Sequence, residues 1–578
     1  MLIGTSACTY IQQSPVDTSD DAGSSNGSGS IGNSGWDDAG EGESESSGDD
    51  GAGADCDQTK VDALTVLQTY CAGCHKPGAN PAGNFDYVTD ADRLLQEGKV
   101  VAGDSASSPL FARVESGQMP PPAAASFPSD GEIEVLRQWI DQCTEVPGPA
   151  ACEPDHRIGI DGMLAAISSD ISDTSEVSQE NRPFIRYFTL SHLYDAGICG
   201  DELEPYRQAL SKTMNSLSQG TDIVPPKAID ADGTIFRVDL RDYEWDAGLW
   251  SFLASQSPYA IELTREEAID VQGFTGEAIP ILRADWLAAV ATAPPLYHDL
   301  LRLPTTLVDL QVQLGVNINA DISQEIDNDP DDVSRAGFLD SGVSENNRLI
   351  ERHEIPGAAN RALWMSYDFS DNAAEQNLFA SPLAFQEAGS EVIFSLPNGL
   401  HGYMIVNAAG ERLDEAPDAI VSDPAEPDGN VVNGRSCMGC HDGGINLRED
   451  ELRAHVTSSL EFDDNTKQAV ENLHPEQDVF AELQQSDADN YAWAVEAAGV
   501  SSGTEPIGVV FEWYQKSVDL PLAAAEFGIT EDELLIRIGG LSADLQPLAY
   551  GTVKRDAFEL GFAQAVCDLQ LGDTSACP

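Results

Sequence analysis

Two pentapeptides in this chain hold the residue types used for covalent cofactor attachment: Cys71-Ala72-Gly73-Cys74-His75 and Cys437-Met438-Gly439-Cys440-His441. A c-type haem needs two thiols spaced to reach its two vinyl groups and an adjacent imidazole to ligate the iron. Cys-x-x-Cys-His supplies all three within one helical turn. At this composition a single chance occurrence has an expectation of about 0.003, so two carry weight. A zinc site wants four ligands, usually from paired Cys-x-x-Cys knuckles, and leaves the histidine after each pair unexplained. A thioredoxin-like dithiol wants a βαβ setting that is not evident around either motif. The pattern therefore implies two covalently bound haems, with His75 and His441 as iron ligands.

Each iron has a second axial position. For the first haem, Met119 in Ser116-Gly117-Gln118-Met119-Pro120-Pro121-Pro122 is the expected ligand, because a proline-stiffened loop can hold a thioether against iron. The alternative is a methionine packed in a loop core. For the second haem no methionine follows Met438, so the ligand must come from upstream, be a histidine, or be absent. The candidates are His353, Met404, His455, His401 and His192. His353 is preferred because it closes the polar run Ser341–His353, where Arg348 and Arg352 could also pair with haem propionates. The plainer reading of that run is a surface helix laced with ion pairs.

The elements that would position these residues can be read in outline. Val61, Leu64, Leu67 and Cys71 recur at helical spacing and run into the first motif. Ser129-Asp130-Gly131-Glu132 is a capping box ahead of Ile133, Leu136, Trp139 and Ile140. Further on, Phe184–Tyr194 reads as helical and Ile235–Leu240 as a strand. Glu391–Leu396, the turn Pro397-Asn398-Gly399 and Tyr403–Val406 read as a hairpin. Glu449–Leu460 and Glu531–Ile538 read as helices, the latter behind a second capping box that starts at Thr530.

The expected organisation has four parts. Residues 1–55 are a signal-peptide remnant, or a lipoprotein anchor at Cys8, and an acidic Ser/Gly tether. Residues 56–146 are a small all-α cytochrome c domain with the first haem. Residues 150–430 are a larger α+β module, and residues 431–578 carry the second haem attachment and a mainly helical C-terminal part. Small residues before Cys8 suit lipid attachment, although Thr5 stands where leucine is usual, and the true start is expected upstream of Met1.

Charge and cysteine use narrow the setting. The formal net charge is −68, and residues 1–55 hold 11 acidic and no basic residues. Such a surface repels nucleic acid and anionic lipid, and it attracts a partner with a cationic docking surface or simply maintains solubility. No apolar stretch is long enough to span a membrane, which leaves Cys8 as the expected membrane contact. Of 11 cysteines, four lie in the motifs and Cys8 stands apart. The remaining six fit three disulfides in an oxidising compartment, the periplasm or cell surface. Proximity favours Cys56–Cys143, Cys152–Cys199 and Cys567–Cys577.

Together with the first motif and Met119, the segments Ser108–Val114 and Leu136…Trp139-Ile140 resemble the planctomycete-type small cytochrome c domains over about 90 residues. That resemblance implies Met119 as distal ligand and an electron-transfer role. Residues 180–578 resemble a broader group of secreted bacterial cytochrome c proteins. They do so through Arg186–Tyr194, Val238–Tyr243, Ser341–His353, Ser366–Phe369, Phe394–Leu400 and Asn433–His441, and this implies one haem-bearing module but no substrate. The function expected is a dihaem electron carrier exchanging electrons with a redox partner protein. The alternatives are a peroxidase-like haem oxidoreductase using His353, Arg348 or Arg352, and a surface binding or sensing module with structural haem.

Overall fold

In a computed structural model, residues 56–144 are described apart from short interruptions, the longest being 76–84. Residues 157–577 are described apart from a few loops, among them 328–332, 340–345 and 417–422. The acidic tract with Cys8, Cys74 of the first motif, Cys152, and Ser341–Glu345 of the polar run lie outside the described residues. The chain divides into two compact units, Met1–Gly148 and Pro149–Pro578.

In the first unit, helix Cys56–Tyr70 turns Ala63, Val66 and Leu67 inward and leads into Cys71. Helices Ala91–Gln96, Pro109–Glu115 and Asp130–Gln138 complete a small core around Leu94, Phe111, Leu136, Trp139 and Ile140. The capping box at Ser129 forms in full: Ser129 Oγ accepts from the Glu132 amide, and the Glu132 carboxylate accepts from the Ser129 amide. A disulfide joins Cys56 to Cys143, so the first helix is tied to the π-helical turn Trp139–Cys143 that ends the unit.

The second unit holds a four-stranded and a six-stranded sheet. The strands are β1 Ile185–Thr189, β2 Lys227–Ala228, β3 Ile235–Asp239, β4 Ile281–Arg283, β5 Val333–Phe338, β6 Arg348–Glu354, β7 Ala362–Asp368, β8 Gly389–Ser395, β9 His401–Asn407, β10 Arg412–Leu413, β11 Glu415–Ala416 and β12 Val431–Val432. The smaller sheet runs β2-β3-β1-β4, with β1 and β4 parallel, and the larger is an antiparallel meander from β5 to β10. The hairpin read from sequence is β8–β9, with Ile393 opposite Tyr403 and Gly399 at φ +92° in its turn.

The expected fold class is corrected here. The protein is a mixed multidomain chain with 48% helix and 13% strand, and its six-stranded antiparallel sheet organises the larger unit. The first unit is not simply all-α, because its described helices sit in irregular backbone and Val101 makes a β-bridge. Nor do the C-terminal helices form a separate part after an α+β module. Helix Pro506–Tyr514 packs on helices Glu204–Ser216 and Ala284–Val290. Helix Gln477–Ala497 lays Phe480 against Trp364 of β7, with ring centroids 5.9 Å apart.

Two local readings also change. Ile185–Thr189, expected as part of a helix, is a strand buried at every position between β3 and β4. A strand covered on both faces loses the alternation that would mark it. Arg348–His353, which the plainer reading places on a surface helix, belongs to the interior strand β6 of the meander, where Arg348, Glu351, Arg352 and His353 are all buried. These charges are tolerated because each meets an opposite charge from another element. Arg335 of β5 pairs with Glu351, Arg348 pairs with Asp368 and Glu391, and Arg352 pairs with Asp487 of helix Gln477–Ala497.

Candidate haem-attachment sites

The second motif is delivered by β12, which pairs with β11 and ends at Asn433. Asn433 Nδ2 donates to His298 Nε2 at 2.9 Å, and burial lowers the His298 pKa to about 4, which keeps the ring a neutral acceptor. Gly434 then turns the chain at φ +90°. A Cβ there would stand 2.5 Å from the Thr292 carbonyl oxygen and 2.9 Å from the Tyr297 ring, so glycine is required. The motif helix is Arg435–Cys440. Arg435 donates from Nε and an Nη to Glu426 Oε1 at 2.9 and 2.8 Å, and its guanidinium lies 3.6 Å from the centroid of the Phe511 ring. Ser436 Oγ accepts from the Val432 amide, and Met438 is buried in the main core.

This helix sets Cys437 against Ile405 of β9, together with Ala416 and Val431. The neighbouring strand register decides which other residues share that face. Arg352, Trp364, Ile393 and Tyr403 stand in line across β6 to β9, and His401 and Ile405 are two residues either side of Tyr403. All of these point to the side of the sheet where Cys437 lies. The Tyr403 ring is 6.2 Å from the His441 ring, tilted by 31°. Tyr491, on helix Gln477–Ala497, stacks on His401 at 4.2 Å, and Lys212 stands 5.7 Å over the Tyr491 ring while ion-paired to Glu505.

The residues present fit a c-type haem. His441 Nδ1 donates to the Gly444 carbonyl oxygen at 3.0 Å, which leaves Nε2 without a hydrogen-bond partner among the described residues. Burial lowers the His441 pKa to about 4, so the ring is a neutral ligand at pH 7. Cys437 and Cys440 lie on one helical turn and are not joined to each other. Desolvation pushes the partly buried Cys437 thiol far up. A reactive dithiol needs the opposite shift. Among the described residues no three His, Cys, Asp or Glu side chains gather as metal ligands.

The first motif shows the same device. His75 Nδ1 lies 3.2 Å from the Phe85 carbonyl oxygen, and the His75 amide donates to the Cys71 carbonyl oxygen at 3.0 Å. The His75 ring rests on Phe85 at 4.9 Å, and Phe85 meets the edge of Tyr87 at 4.7 Å. Met119, half-buried, lies on the loop after helix Pro109–Glu115, held by its amide donating to Arg113 O at 2.9 Å. Residues 71–123 match the family model described as planctomycete cytochrome C. The match supports a cytochrome c-type domain with haem-based electron transfer as its chemistry. No curated protein and no solved structure matches the chain.

The residues expected as a ligand opposite His441 separate by face and by partner. His353 and Met404 both lie on the side of the meander away from Tyr403, since His353 opposes Leu363 and Met404 opposes Val392. His353 is fully buried with Nε2 2.8 Å from Glu351 and Nδ1 3.1 Å from Asp321, so neither nitrogen is open to iron. His455 Nε2 lies 3.1 Å from the Phe379 carbonyl oxygen, and His192 Nε2 lies 3.0 Å from Asp285. His401 alone shares a face with the motif. The aromatic surround of Tyr297, Tyr403 and Tyr491 had no sequence signal, because those residues come together only through the sheet register and the helices packed on it.

Proposed function

We propose that the protein is a dihaem c-type cytochrome that carries electrons outside the cytoplasm, with one haem on Cys71, Cys74 and His75 and the other on Cys437, Cys440 and His441. The observation behind this is the shared arrangement at the two motifs, where a backbone carbonyl accepts a hydrogen bond from Nδ1 of each histidine and Nε2 is left for iron. When bound, haem supplies a one-electron couple. The chain orients each imidazole, keeps the His441 ring neutral, places Cys437 and Cys440 on one helical turn, and offers Met119 as the second ligand in the first unit.

The remaining attributes belong to the same proposal. The −68 formal charge suits a redox partner with a cationic docking face, no nucleic acid, and no membrane contact beyond a lipid at Cys8. Disulfides at Cys56–Cys143 and Cys567–Cys577, with Cys199 disulfide-bonded as well, suit the periplasm or cell surface. A peroxidase-like reading asks His353, Arg348 or Arg352 to act on a substrate, and all three are held by buried carboxylates.

The test is expression alongside haem-attachment machinery, followed by intact mass and redox titration. Two haem increments and two potentials are expected. Met119→Ala should lower one potential by roughly 100 mV or more, within the ~0.8 V range that axial ligands command, and leave the other in place. A mass equal to bare polypeptide would refute the proposal, and equal movement of both potentials would refute Met119.

A further inference from the structure

We propose that His401 is the sixth ligand of the second haem, giving that iron two imidazoles where the first has an imidazole and a thioether; this rests on the dihaem reading above. The juxtaposition that carries it is the sheet register, which places His401 on the face that Cys437 and His441 approach. His401 is two residues before Tyr403 on β9, and the Tyr403 ring stands 6.2 Å from each of the His401 and His441 rings.

The second observation is chemical. His401 is 4% exposed, its Nδ1 is sealed from solvent, and neither ring nitrogen has a hydrogen-bond partner among the described residues. Buried polar groups in folded proteins are nearly always paired, so an imidazole without a protein partner marks a place where a group outside the polypeptide belongs. His192 Nδ1 and His474 Nε2 are also buried without a partner, but each of the other described histidines of this unit, His441 aside, has one ring nitrogen engaged, and none of them makes a ring contact with Tyr403 or His441. His192 meets Asp285, His298 meets Asn433, His353 meets Glu351 and Asp321, His455 meets the Phe379 carbonyl, and His474 meets Asp450.

The surroundings suit an iron ligand. Tyr491 stacked at 4.2 Å fixes the ring plane, and helix Gln477–Ala497, which carries Tyr491, is anchored to the same sheet by Asp487 accepting from Arg352 and from the Trp364 indole. Burial disfavours protonation of the ring and keeps it a Lewis base at neutral pH. Two imidazoles give a lower reduction potential than an imidazole and a thioether, so the second haem is the more reducing of the pair.

The experiment compares the full-length wild type, His401→Ala, His401→Met and Met404→Leu, each loaded with haem. Intact mass reads haem count, and electron paramagnetic resonance and resonance Raman spectra read spin and coordination. Wild type is expected to show two low-spin, six-coordinate haems. His401→Ala should convert about half of the haem to a high-spin form that takes up one equivalent of carbon monoxide and returns to low spin when imidazole is added. His401→Met should stay low-spin and raise only the lower potential, while Met404→Leu, on the opposite face, should leave the spectra unchanged. Imidazole rescue separates loss of a ligand from loss of the fold. Two haems that both stay low-spin in His401→Ala would overturn the ligand assignment, as would a carbon-monoxide-binding haem in the wild type. A wild-type mass with a single haem would instead overturn the dihaem reading.

Discussion

Replacing His353 with alanine discriminates most sharply between the ligand expected from sequence and the arrangement in the fold. An axial ligand would give up iron coordination, whereas a structural histidine gives up stability. His353 is fully buried, with one nitrogen 2.8 Å from Glu351 and the other 3.1 Å from Asp321. Net contributions of hydrogen bonds to charged groups are about 1.5–3 kcal/mol each. Asp321 is partly exposed and regains water on losing its partner, and Glu351 keeps Arg335 and the Tyr367 hydroxyl. Counting one such bond in full, and adding a small cavity term, the cost is about 2–4 kcal/mol. With m of about 4 kcal/mol/M for a unit of this size, the urea midpoint falls by about 0.5–1 M. Tryptophan fluorescence follows this unit well, because six of the eight tryptophans lie within it. Native-state absorbance and spin state of both haems should be unchanged. A high-spin haem in the folded His353→Ala protein, with the urea midpoint where it was, would refute the argument.

Other outcomes follow from the same geometry. Gly434→Ala forces a Cβ to within 2.5 Å of the Thr292 carbonyl at a φ of +90°, at a cost of roughly 2–4 kcal/mol. The protein should then accumulate with one haem by intact mass, and full two-haem loading would count against the turn. Acid should weaken the second unit in a defined window. Burial alone would raise the Glu351 pKa, but Arg335, His353 and Tyr367 outweigh it and hold the value at about 2, while His192 holds Asp285 at about 2 against the same desolvation. Below the unfolded values of about 4.3 and 3.9, the unfolded chain binds protons that the folded chain does not. The stabilisation is therefore complete above about pH 5 and is lost as pH falls from there through 2. Glu351→Gln should flatten the dependence of urea midpoint on pH over that range, and an unchanged slope would show that Glu351 is not its source.

Short-range chemistry was legible in the residues alone. The two Cys-x-x-Cys-His motifs, the capping box at Ser129, the strand at Ile235–Asp239 and the hairpin turn at Gly399 each depend on neighbours within a few positions, so local spacing is enough to place them. The pairs Cys56–Cys143 and Cys567–Cys577 were also accessible, because each joins cysteines that are neighbours in chain order once the motif cysteines are set aside. What lies opposite His441 was not accessible. In a β-strand adjacent residues face opposite ways, so whether His401, Met404 or His353 looks toward the motif depends on which face of the meander Cys437 approaches. Only the packing of residues 431–448 and helix Gln477–Ala497 against one side of β6 to β9 decides it. The polar run ending at His353 resisted reading for a related reason. Its charges look like a solvated surface until partners from other elements, Asp487 across 135 residues among them, neutralise them in the core.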